Sequence, residues 1–266
     1  MTALLRVVAP VGFGSRRAAH LIERNAFVYR RIYVTLASGF FEPLFYLLAM
    51  GFGLGALVGT VPGPDGQPMA YTAFIAPALL AASSMNGAIY ESTNIMFRLN
   101  YEKVYHAALS TPLGVGDVAL GELGWSLTRG TIYAVGFTVV MVVLGLLSSP
   151  LGLLALPASL LMGFAAGGIG MAVVTFMRSW QDLDLIQMAV LPIFLFSGTF
   201  YPLSTYPPAI QAVVQLSPLY RGTHLLRGLT TGILDPTMVV DVAYLLGLGI
   251  LGLSISARRF HRLLLK

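Results

Sequence analysis

The sequence predicts an all-α integral membrane protein with six transmembrane helices, and two observations carry this prediction. The chain of 266 residues is 56% hydrophobic and only 10% charged, with a mean hydropathy of +0.79, so it cannot form one water-soluble core with a normally charged surface. Apolar runs of about 20 residues, the length that crosses a bilayer core roughly 30 Å thick, also recur along the chain.

Residues 1–31 predict an amphipathic helix that lies flat on the membrane surface. On a helical wheel Arg17, His20, Arg24 and Arg31 group within about 60° of one another, with apolar residues on the other side. Such a basic face suits lipid phosphates. The pattern alone leaves open whether the helix is only a topology anchor or also contacts another subunit. Its candidate interface residues are Arg16, Arg17, His20 and Arg24.

Six apolar runs predict the transmembrane helices. The predicted spans are residues 34–59, 70–92, 120–147, 151–177, 185–200 and 238–257. The run 185–200 is the weakest, because it is short for a crossing. After it, the proline-rich residues 201–233 predict a segment that dips into the membrane or lies on it.

The placement of arginine and lysine predicts that both termini lie in the cytoplasm. With six crossings and the N-terminus inside, all but two of the 16 basic residues fall on the cytoplasmic side, the exceptions being Arg221 and Arg227. The basic residues are dispersed over loops that flank the spans, as expected for lipid-facing anchors, so no nucleic-acid partner is expected. The first long apolar run follows six arginines, and no cleaved signal peptide is expected.

The connection of residues 94–117 predicts a short cytoplasmic helix. Tyr101 to Leu109 has helical composition and stops before Thr111-Pro112. Such a helix at the tips of two spans can contact a soluble partner, although a solvated loop helix without a partner is the alternative. The candidate contact residues are Arg98, Tyr101, Glu102, Lys103, Val104, Tyr105 and His106.

Motifs of enzymatic or metal chemistry are missing from the sequence. There are no cysteines, and the four histidines lie in separate segments without a ligand at metal spacing, so no metal or haem site is expected. The nucleotide-binding pattern Gly-x-x-x-x-Gly-Lys-Ser/Thr is also missing. If the protein uses ATP, another chain must bind it.

Glycines at helical spacing predict close helix packing in lipid. Ionisable residues near the spans indicate function because their burial in lipid is costly, and among them only Glu42 is predicted to lie at depth. It either pairs with a neighbour or contacts a substrate. A proton-coupled carrier would need more such groups and inverted repeats of broken helices. The glycines are Gly51, Gly53, Gly55 and Gly59, and Gly163, Gly167 and Gly170, and the other ionisable candidates are Glu91, Glu122, Arg129 and Asp241.

Three stretches together resemble the type-2 ABC transporter permease family, in the branch of nodulation protein J and the daunorubicin-exporter permeases. They cover nearly the whole chain in the family's order and spacing. They are Phe41–Leu47 with Gly51–Gly55, Tyr105–Leu113 with Gly121-Glu122-Leu123, and Phe194–Pro202 with Leu216–Tyr220 and Leu226-Arg227.

The resemblance implies a fold and a set of partners. Family members have an amphipathic interface helix, a coupling helix (here about 97–110 in the loop 94–117), and an extracellular re-entrant helical hairpin (here 201–233). Two permeases, identical or paralogous, pair with two ABC ATPase subunits, which bind ATP and Mg²⁺, while the permease binds no cofactor. Leu99-Asn100-Tyr101 departs from the basic-acidic-glycine pattern of many members, so individual ATPase contacts do not transfer.

The resemblance also implies ATP-driven export, by alternating access, of a lipid, glycolipid, lipo-oligosaccharide or amphiphilic drug across the cytoplasmic membrane. A proton-coupled secondary carrier or a channel-like protein is the alternative. Aromatic residues and one acid are candidates to line the path of the cargo, although packing or an aromatic belt also explains them. They are Phe41, Glu42, Phe45, Phe194, Phe196, Phe200 and Tyr201.

Overall fold

The computed structural model describes residues 15–30 and 41–265, which form a helical bundle with one small β-hairpin. The predictions for residues 1–14 and 31–40 lie outside this range. In chain order the helices are α1 Ser15–Arg30, α2 Phe41–Val58, α3 Tyr71–Asn100, α4 Val104–Leu109, α5 Val115–Val143, α6 Ala155–Val174, α7 Leu183–Phe196, α8 Pro208–Gln215, α9 Pro218–Thr231 and α10 Met238–Leu264.

The predicted all-α class is nearly correct, because the only sheet among the described residues is a short antiparallel hairpin. Its strands are β1, Thr60–Pro62, and β2, Pro68–Ala70, with Val61 opposite Met69. The hairpin joins α2 to α3 at one end of the bundle. Apolar periodicity could not predict it, since each strand has only three residues.

Five helices of the described part are long and apolar enough to cross a membrane: α2, α3, α5, α6 with its preceding turn, and α10. The predicted fifth span corresponds to α7, which has 14 residues and is about 21 Å long at 1.5 Å per residue. A crossing needs roughly 30 Å. The count of six therefore stays a prediction.

Three helices extend past their predicted ends. α3 continues to Asn100 instead of 92, α5 begins at Val115 instead of 120, and α10 continues to Leu264 instead of 257. The extensions carry charged and polar residues, which mark the end of a span when only hydropathy is considered. The charges on α3 and α5 are paired inside the protein, so both helices continue beyond the apolar run.

The predicted helix over residues 97–110 was wrong as a single element. Phe97 still belongs to α3, and its carbonyl accepts hydrogen bonds from the N–H groups of Tyr101 and Glu102, which close that helix. Lys103 then has a left-handed φ of 52°, so the chain turns before α4 begins at Val104. The result is a separate helix of six residues.

Small residues allow α3, α5, α6 and α10 to pack closely, as the glycine spacing predicts. A Cβ atom at Gly170 of α6 would lie 2.7 Å from the Ser92 hydroxyl of α3, and one at Gly252 of α10 would lie 2.3 Å from the backbone of Gly168. Side chains larger than hydrogen would separate these helices. In α2, only Gly51 and Gly55 of the predicted stripe contact α3.

The bundle has two chemically different ends. The α4 end contains α1, α4 and the end of α10, where the rings of Tyr105 and Phe260 lie 5.8 Å apart. The hairpin end contains the β-hairpin, α8 and α9. α7 runs between the two ends, since Ile186 packs in the hydrophobic cluster of Tyr105 and Phe194 packs in the cluster of Leu219.

The proline-rich segment 201–233 folds into a helical hairpin of α8 and α9, each with proline in its first turn. α9 packs against α3, α6 and α10. Whether the hairpin enters the membrane stays a prediction.

Candidate functional site

Four charged side chains are buried together near the α4 end of the bundle. Arg98 of α3 forms ion pairs with both Glu91 and Glu122, and Nη1 of Arg129 lies 3.1 Å from Oε2 of Glu91. Both carboxylates are fully buried. Two acids and two arginines balance the charge, which is what buried ions require. We call these four residues the ion cluster.

The ion cluster follows from a repeated spacing on two neighbouring helices. Glu91 and Arg98 lie seven residues apart on α3, and Glu122 and Arg129 lie seven residues apart on α5. Residues seven apart share one helix face. Because α3 and α5 run in opposite directions, the acid of each helix faces the arginine of the other. This shared spacing was the signal that could have predicted the cluster.

Burial inside the protein singles out other acids than Glu42, whose depth in the membrane stays a prediction. Glu91, Glu122 and Asp241 are fully buried, and Arg129 is 6% exposed. Glu42 is only partly buried, and its Oε2 accepts a hydrogen bond of 3.4 Å from the Tyr90 hydroxyl. The other four were candidates in the sequence, but hydropathy could not show that neighbouring helices cover them.

Helix α1 adds two uncharged groups to the ion cluster. The Tyr29 hydroxyl donates to Glu91 Oε2 at 2.8 Å and accepts from the Asn94 amide at 2.8 Å, while the Asn25 amide donates to Glu122 at 3.3 Å. Burial, followed by the charge of Glu91, raises the pKa of Tyr29 to about 12. Tyr29 therefore stays protonated at neutral pH and remains a donor.

The face that α1 buries differs from the predicted apolar face. Ala18, Leu21, Asn25 and Tyr29 are buried, and a Cβ atom at Gly121 of α5 would lie 2.7 Å from Leu21. The wheel assigned apolar residues to one side, but Val28 of that side is 53% exposed. Asn25 and Tyr29 are on the buried face because they form hydrogen bonds with buried acids of α5 and α3. A helical wheel based on hydropathy cannot show such partners.

The predicted basic residues of α1 have separate neighbours. Nη1 of Arg17 donates to the carbonyl of Pro112 at 2.7 Å and so ties α1 to the loop after α4. Nδ1 of His20 lies 3.2 Å from Glu23 on the exposed surface, and Arg24 donates to Asn25 at 2.9 Å. Arg16 lies on α1.

Tyr105 inserts from α4 into the bundle beside the ion cluster. Its side chain is fully buried, and burial followed by the Glu122 charge raises its pKa well above its usual value. The Tyr105 hydroxyl and Oε1 of Glu122 are both buried, and neither has a hydrogen-bond partner among the described residues. A small movement of α4 can therefore make or break a hydrogen bond at this point.

The predicted contact residues of the 94–117 segment divide into two groups. Arg98 is 7% exposed and belongs to the ion cluster, so its charge is engaged inside the bundle and a contact with a soluble partner stays a prediction. Tyr105 is also buried and Val104 is half-buried. The exposed residues are Tyr101, Glu102, Lys103 and His106.

The residues predicted to line a cargo path also lie in different environments. Phe194 and Phe200 pack edge to face at 5.3 Å and both contact Tyr46 of α2. Phe41 and Phe45 stack on each other on the exposed side of α2. Phe196 is 51% exposed and Tyr201 is 36% exposed, and both rings contact that of Tyr206.

A second group of charges, at the hairpin end, was not predicted. Asp241 of α10 is fully buried, and its carboxylate lies 3.0 Å from Nη1 of Arg221 and 2.6 Å from Nδ1 of His224 on α9. These contacts fasten the helical hairpin to α10. Asp241 was a candidate in the sequence, but its partners come from another helix and could not be read from local spacing.

The described helices thus place the buried Tyr105 of α4 beside the ion cluster that joins α1, α3 and α5. Within the described residues, no group of three histidine, cysteine or acidic side chains could hold a metal ion.

Comparisons with known proteins agree with a transport component. The family model described as ABC-2 type transporter matches residues 17–230. Nodulation protein J of Rhizobium leguminosarum bv. trifolii is 34% identical over 83% of this chain and 84% of its own. Nodulation protein J of Sinorhizobium fredii is 32% identical over 77% and 78%.

A more distant relative is the inner membrane transport permease YadH of Escherichia coli, 22% identical over 86% of both chains. The resemblance found in the sequence is therefore confirmed. An ABC-2 permease is a multi-pass integral membrane component of a transporter, it is not itself a catalytic enzyme, and its family implies an ABC ATPase partner. The chain belongs to the ABC-2 type transporter family.

Proposed function

We propose that this protein is the permease subunit of an ATP-driven exporter that moves an amphiphile outward across the cytoplasmic membrane. The candidate cargoes are a lipid, glycolipid, lipo-oligosaccharide or amphiphilic drug. The family match and the relatives named nodulation protein J support a permease. The observation that carries the proposal is Tyr105, a fully buried side chain on a short helix whose neighbours Glu102, Lys103 and His106 are exposed.

The exposed part of the α4 segment is the proposed docking site for the ATPase. Tyr101 is 53% exposed, and Glu102 and Lys103 beside it offer both signs of charge to a soluble partner. Charged groups at a rim of this kind set orientation and association rate more than affinity. The ATPase, present in two copies per complex, binds ATP and Mg²⁺.

The mechanism is alternating access driven by the ATPase. ATP closes the ATPase dimer, which pushes α4 and moves Tyr105 against Glu122. Because the ion cluster joins α1, α3 and α5 by ion pairs and hydrogen bonds, these helices move as a unit. ATP shifts the equilibrium only to the extent that it binds the two conformations with different affinity.

The proposed orientation places the α4 end in the cytoplasm with both termini. Lys103, Arg178 and Arg262 lie at or near this end of the described structure, whereas Arg221 and Arg227 lie at the hairpin end, as the topology requires. α7 then crosses the membrane as a short fifth span, since it runs from one end of the bundle to the other. The α8–α9 hairpin lies on the outer side as the re-entrant element.

A second permease, identical or paralogous, is the proposed partner within the membrane. α2 exposes Phe45, Phe52 and Leu57, which are 62%, 50% and 85% exposed, and α7 exposes Leu185 and Met188 at 61% and 74%. These apolar surfaces contact either lipid or the second permease. Cargo passing between the two permeases would meet the exposed aromatic residues Phe41, Phe45, Phe196 and Tyr201.

The proton-coupled carrier has less support. Glu91, Glu122 and Asp241 are each engaged in an ion pair within the bundle, so these acids already have partners that join helices.

Purification of the protein from its native membrane tests the proposal. We expect an ABC ATPase to co-purify near one-to-one, with ATP hydrolysis in nanodiscs. The exchange of Glu102→Lys with Lys103→Glu should weaken this association, whereas Asp65→Lys, at the exposed turn of the β-hairpin, should not. A protein that purifies alone, shows no ATP hydrolysis and carries a proton-dependent flux would contradict the proposal.

A further inference from the structure

Arg227 of α9 is a partly buried cation without an acidic partner in the described structure. Its Nε donates to the Phe74 carbonyl at 3.2 Å, its Nη2 donates to the Gly198 carbonyl at 3.0 Å, and its guanidinium lies 3.7 Å above the centre of the Phe74 ring. Among the described residues, no carboxylate lies within salt-bridge distance of it. Arg98, Arg129 and Arg221 instead each pair with an acid.

Two carbonyls and a ring only partly compensate a buried guanidinium. Carbonyl dipoles satisfy its N–H groups but leave the positive charge without a counter-ion, and an uncompensated buried charge is costly. The Nη1 nitrogen has no hydrogen bond to a described residue. An anion at this position would supply both the missing charge and the missing acceptor.

A cavity of about 250 Å³ lies at this guanidinium. Tyr220 and His224 line it beside Arg227, and their rings stack with centroids 6.2 Å apart. Nδ1 of His224 is engaged by the Asp241 carboxylate, so Nε2 of the neutral ring is an acceptor and donates to an anion only when the ring is doubly protonated. The hydrogen-bond donors on this side of the cavity are therefore the Arg227 guanidinium and the Tyr220 hydroxyl.

The remaining lining of the cavity is mainly apolar, apart from one acid. Asp235 also lines it, its Oδ1 accepts a hydrogen bond from the N–H of Thr237 at 2.9 Å, and this backbone contact lowers its pKa. Asp235 is therefore a carboxylate, so an anion is accommodated only on the Arg227 side of the cavity. A cavity with a cationic side and an apolar side suits the junction between an anionic headgroup and a hydrocarbon chain. The apolar lining includes Phe74, Leu203, Ile233 and Met238.

We propose that this cavity at the hairpin end binds the phosphate, sulfate or carboxylate group of an amphiphile, with Arg227 as its anchor. The anion accepts hydrogen bonds from the guanidinium and from the Tyr220 hydroxyl, while the adjoining chain contacts the apolar lining. The binding depends only on this chain's own residues, so it holds whether or not the proposed direction of transport is correct.

Native mass spectrometry of the complex, purified in a neutral maltoside detergent, tests the site with three probes: inorganic phosphate, dodecyl phosphate and octyl glucoside. Arg227→Gln should weaken binding of the anionic probes about tenfold or more, the loss expected for one charge-assisted contact. Binding of octyl glucoside should not change. Phosphate bound as tightly as dodecyl phosphate would identify a free-anion site, and binding of dodecyl phosphate alone would identify a headgroup site.

Arg259→Gln is the matched control. Arg259 also lies over a ring, 4.2 Å from the centre of that of Phe176, and donates to a carbonyl, that of Thr175 at 3.0 Å, but it does not line this cavity. Its substitution should leave binding of the anionic probes unchanged within about twofold, because charge at the far end of the bundle is screened.

A second variant covers the case in which Arg227→Gln does not assemble. Leu203→Trp reduces the cavity without removing a bond of Arg227, and it should weaken binding of dodecyl phosphate. Wild-type affinity for the anionic probes in an assembled Arg227→Gln protein would overturn the proposal. Where only Leu203→Trp assembles, wild-type affinity in that variant would also overturn it.

Discussion

The two ends of the bundle differ in how completely their buried charges are paired. At the α4 end, Glu91 and Glu122 are matched by Arg98 and Arg129, and α1 adds hydrogen bonds. At the hairpin end, Asp241 is paired with Arg221 and His224, but among the described residues the partners of the Arg227 guanidinium beside the cavity are two carbonyls and a ring. Balanced charge joins helices, whereas unbalanced charge next to a cavity favours a ligand. We therefore expect the α4 end to transmit force and the cavity at the hairpin end to bind a ligand.

The largest expected loss in the free energy of unfolding comes from Glu91→Gln, which leaves the ion cluster with one acid for two arginines. One carboxylate that holds two arginines is lost, so a positive charge stays buried without a partner. Removing one member of a buried ion pair costs about 3 to 5 kcal/mol. Unfolding of the protein in mixed micelles measures the loss.

Glu42→Gln is the control for that substitution, because Glu42 is only partly buried and has one long hydrogen bond of 3.4 Å. Its expected cost is below about 1 kcal/mol. Equal losses for the two substitutions would contradict the distinction between a structural ion cluster and a peripheral acid.

The next largest loss in the free energy of unfolding is expected at the close contact between α6 and α10, which lies between the two ends of the bundle. Gly252→Ala places a Cβ atom against the backbone of Gly168, which cannot move aside as a flexible side chain would. Overpacking of this kind costs about 1 to 3 kcal/mol. The same unfolding measurement applies, with Gly247→Ala as control, since a Cβ atom there meets nothing within 4 Å. A loss at Gly247 as large as that at Gly252 would contradict the proposed close contact.

A smaller effect is expected at the hairpin end from Asp241→Asn. The amide keeps one acceptor for Arg221 and His224, and these partners are 21% and 28% exposed, so solvent screens the remaining charges. We expect a loss of about 1 to 2 kcal/mol together with faster proteolysis of the α8–α9 hairpin. If Asp241→Asn cost as much as Glu91→Gln, the two ends would not differ as described.

The smallest effect is expected from Arg17→Gln, which removes the bond between α1 and the carbonyl of Pro112. Arg17 is exposed, and such contacts contribute about 0.5 to 1 kcal/mol. Thermal unfolding should shift by a few degrees at most. A shift as large as that of Glu91→Gln would show that α1 is held by this bond instead of by Asn25 and Tyr29.

Much of the fold could be predicted from the sequence, but little of the site could. Apolar runs predicted five long apolar helices, because a bilayer core of fixed thickness requires apolar helices of a minimum length. The spacing of Gly163, Gly167 and Gly170 predicted that α6 packs closely against its neighbours. The ion cluster needs residues from α3 and α5 and a partner from α1, and hydropathy cannot show which charges on different helices meet. Arg227 was predicted only as a topology marker, since its cavity is formed by segments far apart in the chain.

Cross-linking from Glu102, in the turn just before α4, tests most directly the central claim that the ATPase engages the α4 segment. The chain has no cysteine, so Glu102→Cys gives one reactive site in this subunit for a short thiol cross-linker in native membranes, with Asp65→Cys at the hairpin end as control. We expect a cross-link from Glu102→Cys to the ABC ATPase whose yield changes when ATP is added, and none from Asp65→Cys. A complex that co-purifies intact but cross-links only from Asp65→Cys would contradict the account.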